Sequence, residues 1–277
     1  MKKERLDVLL ADRGLYETRE KAKRAVMAGL VIVAGERCDK PGTKFPEDVA
    51  IQVKGDLHPY VSRGGLKLEK AIKEFQIDLT DRIMMDIGSS TGGFTDCALQ
   101  NGARKVYAID VGYNQLAWKL RQDERVVVME RTNFRHMDPA TFEHEMPNMA
   151  SIDVSFISLR LILPVLYTFL QEGGHVLALV KPQFEAGKEK VGKNGIVRDA
   201  SVHRQVIEEI AGFATTLGFQ VKGVSYSPIT GGEGNIEFLL HLYKPRADER
   251  VVEQDEPWWL PRIEEVVVEA HQQLSKM

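Results

Sequence analysis

Five short apolar runs, Arg82 to Ile87, Lys105 to Ile109, Val126 to Met129, Ala150 to Ile152 and Val176 to Val180, follow one another after residue 80, each set apart by a helical segment. Alternation of this kind commits a chain to parallel strands with helices packed on them, and so to a doubly wound α/β sheet. Two further strands, Gln220 to Tyr226 and Ile236 to Leu242, are expected after a long helix from Ser201 to Leu217. At 277 residues there is room for one large core, or for a large and a small one.

The first strand runs into "DIGSSTGGFT", Asp86 to Thr95. In such sheets ligands bind beyond the carboxyl ends of the strands, where this glycine turn falls. The interval from Gly88 to Gly93 matches a Walker phosphate loop, but Phe94-Thr95 stands where Lys-Ser/Thr is required, so a nucleotide triphosphate lacks its cationic partner. The dinucleotide fingerprint G-x-G-x-x-G fails too, because Ser90 replaces the glycine that lets a pyrophosphate approach the backbone. Asp110 ends the second strand, 22 residues after Gly88. An acid there can take both hydroxyls of a ribose, which NAD and S-adenosylmethionine share. The broken fingerprint favours a methyltransferase, with other Rossmann-like enzymes as the alternative.

Four ionisable residues stand at element ends or in apolar surroundings. "MASIDVSF" puts Asp153 at the mouth of the fourth strand, and "HVLALVKP" puts Lys181 at the end of the fifth, where Pro182 prevents its continuation. Glu237 falls in the apolar run "NIEFLLHLY", and Lys67 stands near the start of a helix, "GGLKLEKAIKEF", just before the sheet. Singly, each reads as a snorkelling or paired surface charge; four together point to a site.

Before residue 60 the pattern differs. Arg5 to Arg13 and Thr18 to Ala28 read as short helices, and "LVIVAG" and "FPEDVAIQV" as strands about a Pro41-Gly42 turn, a small α+β module. Its segment "RGLYETREKAKR" sets five basic residues against two acidic ones, which suits a solvated helix face or contact with a polyanion. Residues 54–65, "KGDLHPYVSRGG", have the composition of a linker. Residues 247–277 read as an acidic C-terminal tail with helical character.

The longest apolar stretch, Leu159 to Leu170, is interrupted by Arg160 and Pro164 and is too short to span a bilayer, while Glu4, Arg5 and Asp7 break any signal-like run in "MKKERLDVLL". Two distant cysteines and seven scattered histidines indicate a reduced, cytoplasmic protein without a structural metal.

The phrases "SRGGLKL", "DIGSSTGGFTD", "DVGYNQLAWKLR", "ERTNFR", "DVSFISL" and "VKPQFEAGK" resemble the TlyA family of FtsJ-like ribose 2'-O-methyltransferases. Lys67, Asp153, Lys181 and Glu237 match, in order and context, the Lys-Asp-Lys-Glu tetrad of that group. The resemblance implies an N-terminal RNA-binding module of the small-subunit ribosomal protein type over 1–60. It also implies a Rossmann-like, S-adenosylmethionine-dependent methyltransferase domain over 61–246. The substrate it implies is ribosomal RNA within ribosomal subunits, methylated on a cytidine ribose, with no membrane and no obligate protein partner. Members of the family are often described as haemolysins, so a membrane-active protein stands as an alternative, and a non-catalytic RNA-binding assembly factor as another.

Their place about the sheet edge sets Asp86, Gly88, Ser89, Gly92, Gly93, Phe94 and Thr95 around the expected cofactor, with Asp110 taking its ribose and Phe156 walling the adenine or methyl region; by resemblance Arg131 and Asn133 contribute beyond the third strand. RNA contacts are expected from Arg13, Arg19, Lys21, Lys23 and Arg24 in the first module, from Arg63, and from Lys188 and Lys193 in a loop, 183–198, that could fold over bound RNA. The reaction implied is in-line attack of a 2'-hydroxyl on a sulfonium methyl. Loss of charge at sulfur drives it, so no metal is required, and positioning carries most of the catalysis. Lys181 is the candidate to take the hydroxyl proton, or to hold the hydroxyl while the proton leaves late.

Overall fold

Leu6 and Leu10 lie one helical turn apart, and Ala22, Ala25 and Val26 follow the same spacing, so two short amphipathic helices bury a shared stripe. The computed structural model, which describes residues 3–16, 18–53, 58–231, 234–249 and 257–274, contains them as α1 (Leu6–Asp12) and α2 (Arg19–Met27). Thr18 caps α2 by accepting a hydrogen bond from the Lys21 amide at 3.2 Å. Strand β1 (Lys3–Arg5) precedes them, and β2 (Val31–Val33), β3 (Glu36–Arg37), β4 (Lys44–Pro46) and β5 (Ile51–Val53) follow. β1 pairs with β4, and β2 lies between β3 and β5, all antiparallel.

The chain divides between Pro59 and Tyr60 into two units, each with its own core. In the second, α3 (Gly65–Phe75) leads into β6 (Ile83–Ile87), α4 (Gly93–Gln100), β7 (Lys105–Ile109), α5 (Trp118–Arg121), β8 (Val126–Met129), β9 (Met149–Ile152), α6 (Leu163–Phe169) and β10 (His175–Val180). After the single turn α7 (Pro182–Glu185) come α8 (Ala200–Thr216), β11 (Gln220–Tyr226), β12 (Phe238–Tyr243) and α9 (Trp259–Leu274).

The seven strands form one sheet in the order β11-β12-β10-β9-β6-β7-β8, parallel throughout except for β12, which runs antiparallel to both neighbours. Successive residues serve opposite faces: Ile83, Met85 and Ile87 join a core with α6, α8 and α9, while Met84 joins one with α3 and α4. Both faces are therefore covered, which is why the strands are apolar without alternation.

Strand order reverses at β6, with β7 and β8 added on one side and β9 and β10 on the other. That is the switch point where ligands of open α/β sheets bind. The glycine turn leaves β6 there, and Asp153 leaves β9. Because β12 is antiparallel and Val180 pairs with Phe238, the end of β10 and the start of β12 meet on the same edge.

Three expectations need correction. Glu237 precedes β12 rather than lying in its ladder, with its carbonyl accepting from the Ser227 amide at 2.8 Å. The expected linker 54–65 reaches too far. Residues 54–57 lie outside the described set, but Tyr60 is buried, and the Val61 amide donates to Asp96 at 2.8 Å. Gly65 permits this packing, since a Cβ there would lie 2.4 Å from the Tyr60 ring. Nor does the second unit end at 246 with a separate acidic, helical tail beyond it. Ile263, Val266, Val267, Ala270 and Leu274 form an apolar stripe buried in the core of the second unit. The acidic residues of α9 occupy its outer face. Residues 250–256 and 275–277 lie outside the described set. No described helix is long and apolar enough to cross a membrane.

Candidate active site

At the carboxyl edge of the sheet, four ionisable side chains from four elements form a continuous chain of ion pairs. Lys181 Nζ lies 2.5 Å from Asp153 Oδ1, Asp153 Oδ2 lies 3.5 Å from Lys67 Nζ, and Lys67 Nζ lies 2.6 Å from Glu237 Oε2. Lys67, Lys181 and Glu237 are all buried. Burial works to raise the Asp153 carboxyl, but the charges and hydrogen bonds of Lys67 and Lys181 outweigh it and hold the group below the ordinary carboxylate range. Ser155 Oγ takes a further hydrogen bond from Lys181 at 3.2 Å. These residues line a cavity of about 480 Å³ whose other walls include Gly88, Ser89, Gly93, Phe94, Phe156 and Arg63.

The glycine turn is built on Asp86, which is fully buried beneath it and accepts from Thr95 Oγ1 at 2.7 Å and Ser151 Oγ at 2.9 Å. Burial pushes its carboxyl up to about 6 despite those hydrogen bonds. Asp86 and Thr95 were expected to contact the cofactor, but their polar atoms are spent on each other and neither lines the cavity, so they hold the turn from below. Gly88 has φ +87°, and a Cβ there would lie 2.5 Å from the Asp153 carbonyl oxygen, so only glycine lets the turn press against β9. Gly92 lies under the turn, against Leu116 and Leu120, and does not line the cavity.

Asp110 follows β7, its two oxygens accepting from the Ser90 amide at 2.8 Å and the Gly112 amide at 2.7 Å. Each carboxylate oxygen keeps a further lone pair for a hydroxyl. Arg131 and Asn133 do not line the cavity. The Arg131 guanidinium lies 4.0 Å over the Tyr113 ring, and Asn133 caps a short turn by accepting from the Arg135 amide at 3.2 Å, so both shape neighbouring loops. Phe156 stands at the mouth, 91 % exposed, in a left-handed backbone conformation and with its ring 4.9 Å from that of Phe184.

Of the basic residues expected to meet RNA, Arg63 lines the cavity, and Lys21, Lys23, Arg24, Lys188 and Lys193 are exposed. Arg13 is committed within its unit: its guanidinium donates to the Val49 carbonyl at 2.7 Å and to that of Glu47. Arg19 is paired with the buried Asp7 at 3.0 Å. Part of the loop expected to fold over RNA is already tied down. Asn235 Nδ2 donates to the Gly195 carbonyl at 2.9 Å, its Oδ1 accepts from the Val197 amide at 3.1 Å, and His203 Nε2 meets the Val197 carbonyl at 3.0 Å.

Sequence reasoning missed Ser155, Gln183, Phe184 and Asn235, which all line the cavity. It also missed Glu130, directly after β8. Burial would raise the Glu130 carboxyl, yet hydrogen bonds from the Asn114, Leu116 and Gln115 amides and from Arg121 bring it down to about 2. This carboxylate folds the loop that follows Asp110. The available signal was position, since Glu130 ends a strand on the edge that also carries Asp110, Asp153 and Lys181.

Comparison with known proteins identifies the family of each unit. Residues 60–244 match the FtsJ-like methyltransferase family, and residues 4–51 match the S4 domain. The chain is 64 % identical over 275 residues to YqxC of Bacillus subtilis, described as a candidate rRNA methyltransferase, covering 99 % of this chain and 96 % of that protein. It is 41 % identical over 239 residues to the 16S/23S rRNA (cytidine-2'-O)-methyltransferase TlyA of Mycobacterium tuberculosis, covering 86 % and 89 % respectively. A solved structure of a candidate hemolysin from Streptococcus thermophilus superposes with a TM-score of 0.76 at 57 % identity, over 100 % of this chain and 98 % of that one.

Proposed function

The chain belongs to the FtsJ-like methyltransferase family, with an S4 domain ahead of the catalytic fold, and from that premise we propose that it methylates the 2'-hydroxyl of a cytidine ribose in ribosomal RNA. The observation that carries the reading is the chain of ion pairs from Lys181 through Asp153 and Lys67 to Glu237, at the floor of a cavity bordered by the glycine turn. The cavity's chemistry fits S-adenosylmethionine: the turn lacks a side chain at Gly88 and Gly93, and Asp110, which is not part of the cavity lining but accepts from the amide of the lining residue Ser90, offers a carboxylate to a ribose. When bound, that group supplies a methyl activated by a sulfonium charge.

The protein's own part is to position the acceptor. An ammonium has three donors, and at Lys181 two are taken by Asp153 and Ser155, which leaves one for the 2'-oxygen. Asp153, kept anionic by both lysines, fixes where Lys181 points; Glu237 does the same for Lys67. Lys181 would then hold the hydroxyl by an oxygen lone pair; as the new O–C bond formed, the methyl's bond to sulfur would break to leave a neutral thioether, and the hydroxyl proton would pass to water. The S4 domain presents Lys21, Lys23 and Arg24 for phosphate contacts, and Arg63 and the loop lysines Lys188 and Lys193 add to them in the second unit. Localisation in the cytoplasm follows from a ribosomal substrate.

The test is incubation of the purified protein with labelled S-adenosylmethionine and separated ribosomal subunits, followed by mapping of 2'-O-methylated nucleotides. Label in a cytidine ribose of either subunit supports the reading; no transfer to either subunit overturns it.

A further inference from the structure

Ser155 stands two residues beyond Asp153, on the segment that leaves β9. That segment is fixed at both ends. The Asp153 amide donates to the Ile87 carbonyl at 3.0 Å, while Ser158 Oγ and the Leu159 amide donate to the Glu185 carboxylate on α7 at 2.6 and 2.8 Å. Between these anchors Phe156 is held in its left-handed backbone conformation, a sparsely populated one that persists where the surroundings enforce it. Ser155, beside it, is exposed and lines the cavity. Its Oγ accepts from Lys181 Nζ at 3.2 Å, and among the described residues the hydroxyl has no other partner. A hydroxyl that accepts in one bond still has its own proton to donate.

Lys181 is the group given to the 2'-oxygen, and Ser155 shares its ammonium. Two acceptors spread about a tetrahedral ammonium at hydrogen-bond length stand on the order of 5 Å apart, too far to bond each other. A group vicinal to the 2'-oxygen can span that gap. In an RNA chain the vicinal 3'-oxygen carries a phosphodiester, and rotation of the sugar about its hydrogen bond to Lys181 brings that group to the Ser155 hydroxyl. An anionic oxygen is also the stronger acceptor for its proton. We infer that Ser155 binds the phosphodiester on the 3' side of the acceptor ribose, donating its hydroxyl proton to a non-bridging oxygen. Lys181 and Ser155 then grip neighbouring substituents of one sugar, which fixes its rotation and sets the 2'-oxygen in line with the methyl. The inference rests on the methyl-transfer reading above. It adds a substrate contact outside the four ion-paired residues, one that reads the sugar–phosphate backbone rather than the base.

Ser155→Ala in the full chain tests this on ribosomal subunits reconstituted from unmodified rRNA transcripts. The kcat/KM should fall roughly tenfold or more, the loss expected when a hydrogen bond to a charged group is removed. Affinity for S-adenosylmethionine and the thermal midpoint should match the wild type, because the side chain is exposed and lies with the acceptor. The substitution also takes an acceptor from Lys181, so a second perturbation isolates the phosphate contact: sulfur in place of one non-bridging oxygen of the phosphodiester 3' to the mapped nucleotide. The wild type should slow on one of the two diastereomers, since sulfur accepts hydrogen bonds weakly, whereas Ser155→Ala should treat that diastereomer and the ordinary phosphate alike. An unchanged kcat/KM in the variant, a loss of methyl-donor affinity, or a fall in activity matched by a lower midpoint each overturns the inference. So does a wild type indifferent to both diastereomers, or a variant as sensitive to sulfur as the wild type, which would leave Ser155 serving Lys181 alone. A wild-type chain that transfers no methyl refutes the underlying reading, whereas an active wild type with any of these outcomes refutes only the role of Ser155.

Discussion

Replacing Asp153 by asparagine removes one charge from the middle of the ion-pair chain while nearly preserving shape. Lys181 would lose its partner at 2.5 Å and keep only Ser155 Oγ at 3.2 Å; Lys67 would lose a contact at 3.5 Å but retain Glu237 at 2.6 Å. Both lysine side chains are less than a tenth exposed, so water replaces the missing carboxylate only in part. Breaking a buried ion pair from one side costs ~3–5 kcal/mol. Since the asparagine carbonyl can still accept one hydrogen bond and Lys67 keeps a partner, the low end, about 3 kcal/mol, is expected. For a domain of this size that corresponds to a fall in Tm of roughly 6–12 °C.

The pH dependence tests the cause. The folded state holds the Asp153 carboxyl below its unfolded value of about 3.9. Its contribution is therefore complete above that value and disappears as pH falls through the folded one. Thermal unfolding followed by circular dichroism should show a constant gap between wild type and Asp153→Asn from pH 8 to pH 5, closing under more acid conditions. Methyl transfer should drop by about a hundredfold or more, because Lys181 is no longer aimed, while affinity for S-adenosylmethionine stays as in the wild type. A variant that keeps full transfer, or whose Tm deficit persists undiminished at pH 3, would refute the reasoning.

Asp110→Ala should weaken S-adenosylmethionine binding by roughly tenfold or more, through the loss of charge-assisted hydrogen bonds worth ~1.5–3 kcal/mol, and titration calorimetry measures it directly. Raising pH through about 6 should lower the stability of the wild type, because Asp86 is protonated more readily folded than unfolded; Asp86→Asn should lack that decline in unfolding scans from pH 4 to pH 7. The double variant Lys23→Glu with Arg24→Glu should weaken binding to ribosomal RNA and flatten its salt dependence without lowering Tm, as both residues are exposed. Arg13→Ala should instead lower the stability of the first unit, since its guanidinium bridges the carbonyls of Val49 and Glu47.

The sheet was legible because burial on both faces leaves a direct trace in composition. A strand such as Val176 to Val180 has no solvent side to alternate with, so its ends are marked where ionisable residues begin. The same property exposed the candidate site. Asp110, Asp153 and Lys181 each stand one residue past a strand end, and in a parallel sheet all such ends share one edge. Glu237 reached that edge by the opposite route, ahead of an antiparallel strand, and no local pattern announces strand direction. Its apolar neighbours on both sides made it look embedded in the ladder.

What remained hidden depends on where a side chain points once its residue type is known. Asp86 is the last residue but one of β6 and Asp110 the first after the neighbouring β7, yet Asp86 turns inward to Thr95 and Ser151 while Asp110 collects amides from the adjoining loop. A period of two along a strand cannot distinguish them, because the choice is made by hydroxyls far off in sequence, as with Ser151 on β9. Arg13 and Lys23 likewise belong to one basic stretch, but the carbonyls that occupy Arg13 come from a segment more than thirty residues away. Charge patterning counts both as available for phosphate, and only the folded backbone takes one of them out of use. Ser155 is the limiting case: a serine two residues after an aspartate carries no signal in sequence. It becomes informative through the Lys181 ammonium, which occupies a lone pair of its oxygen and leaves the hydroxyl proton uncommitted.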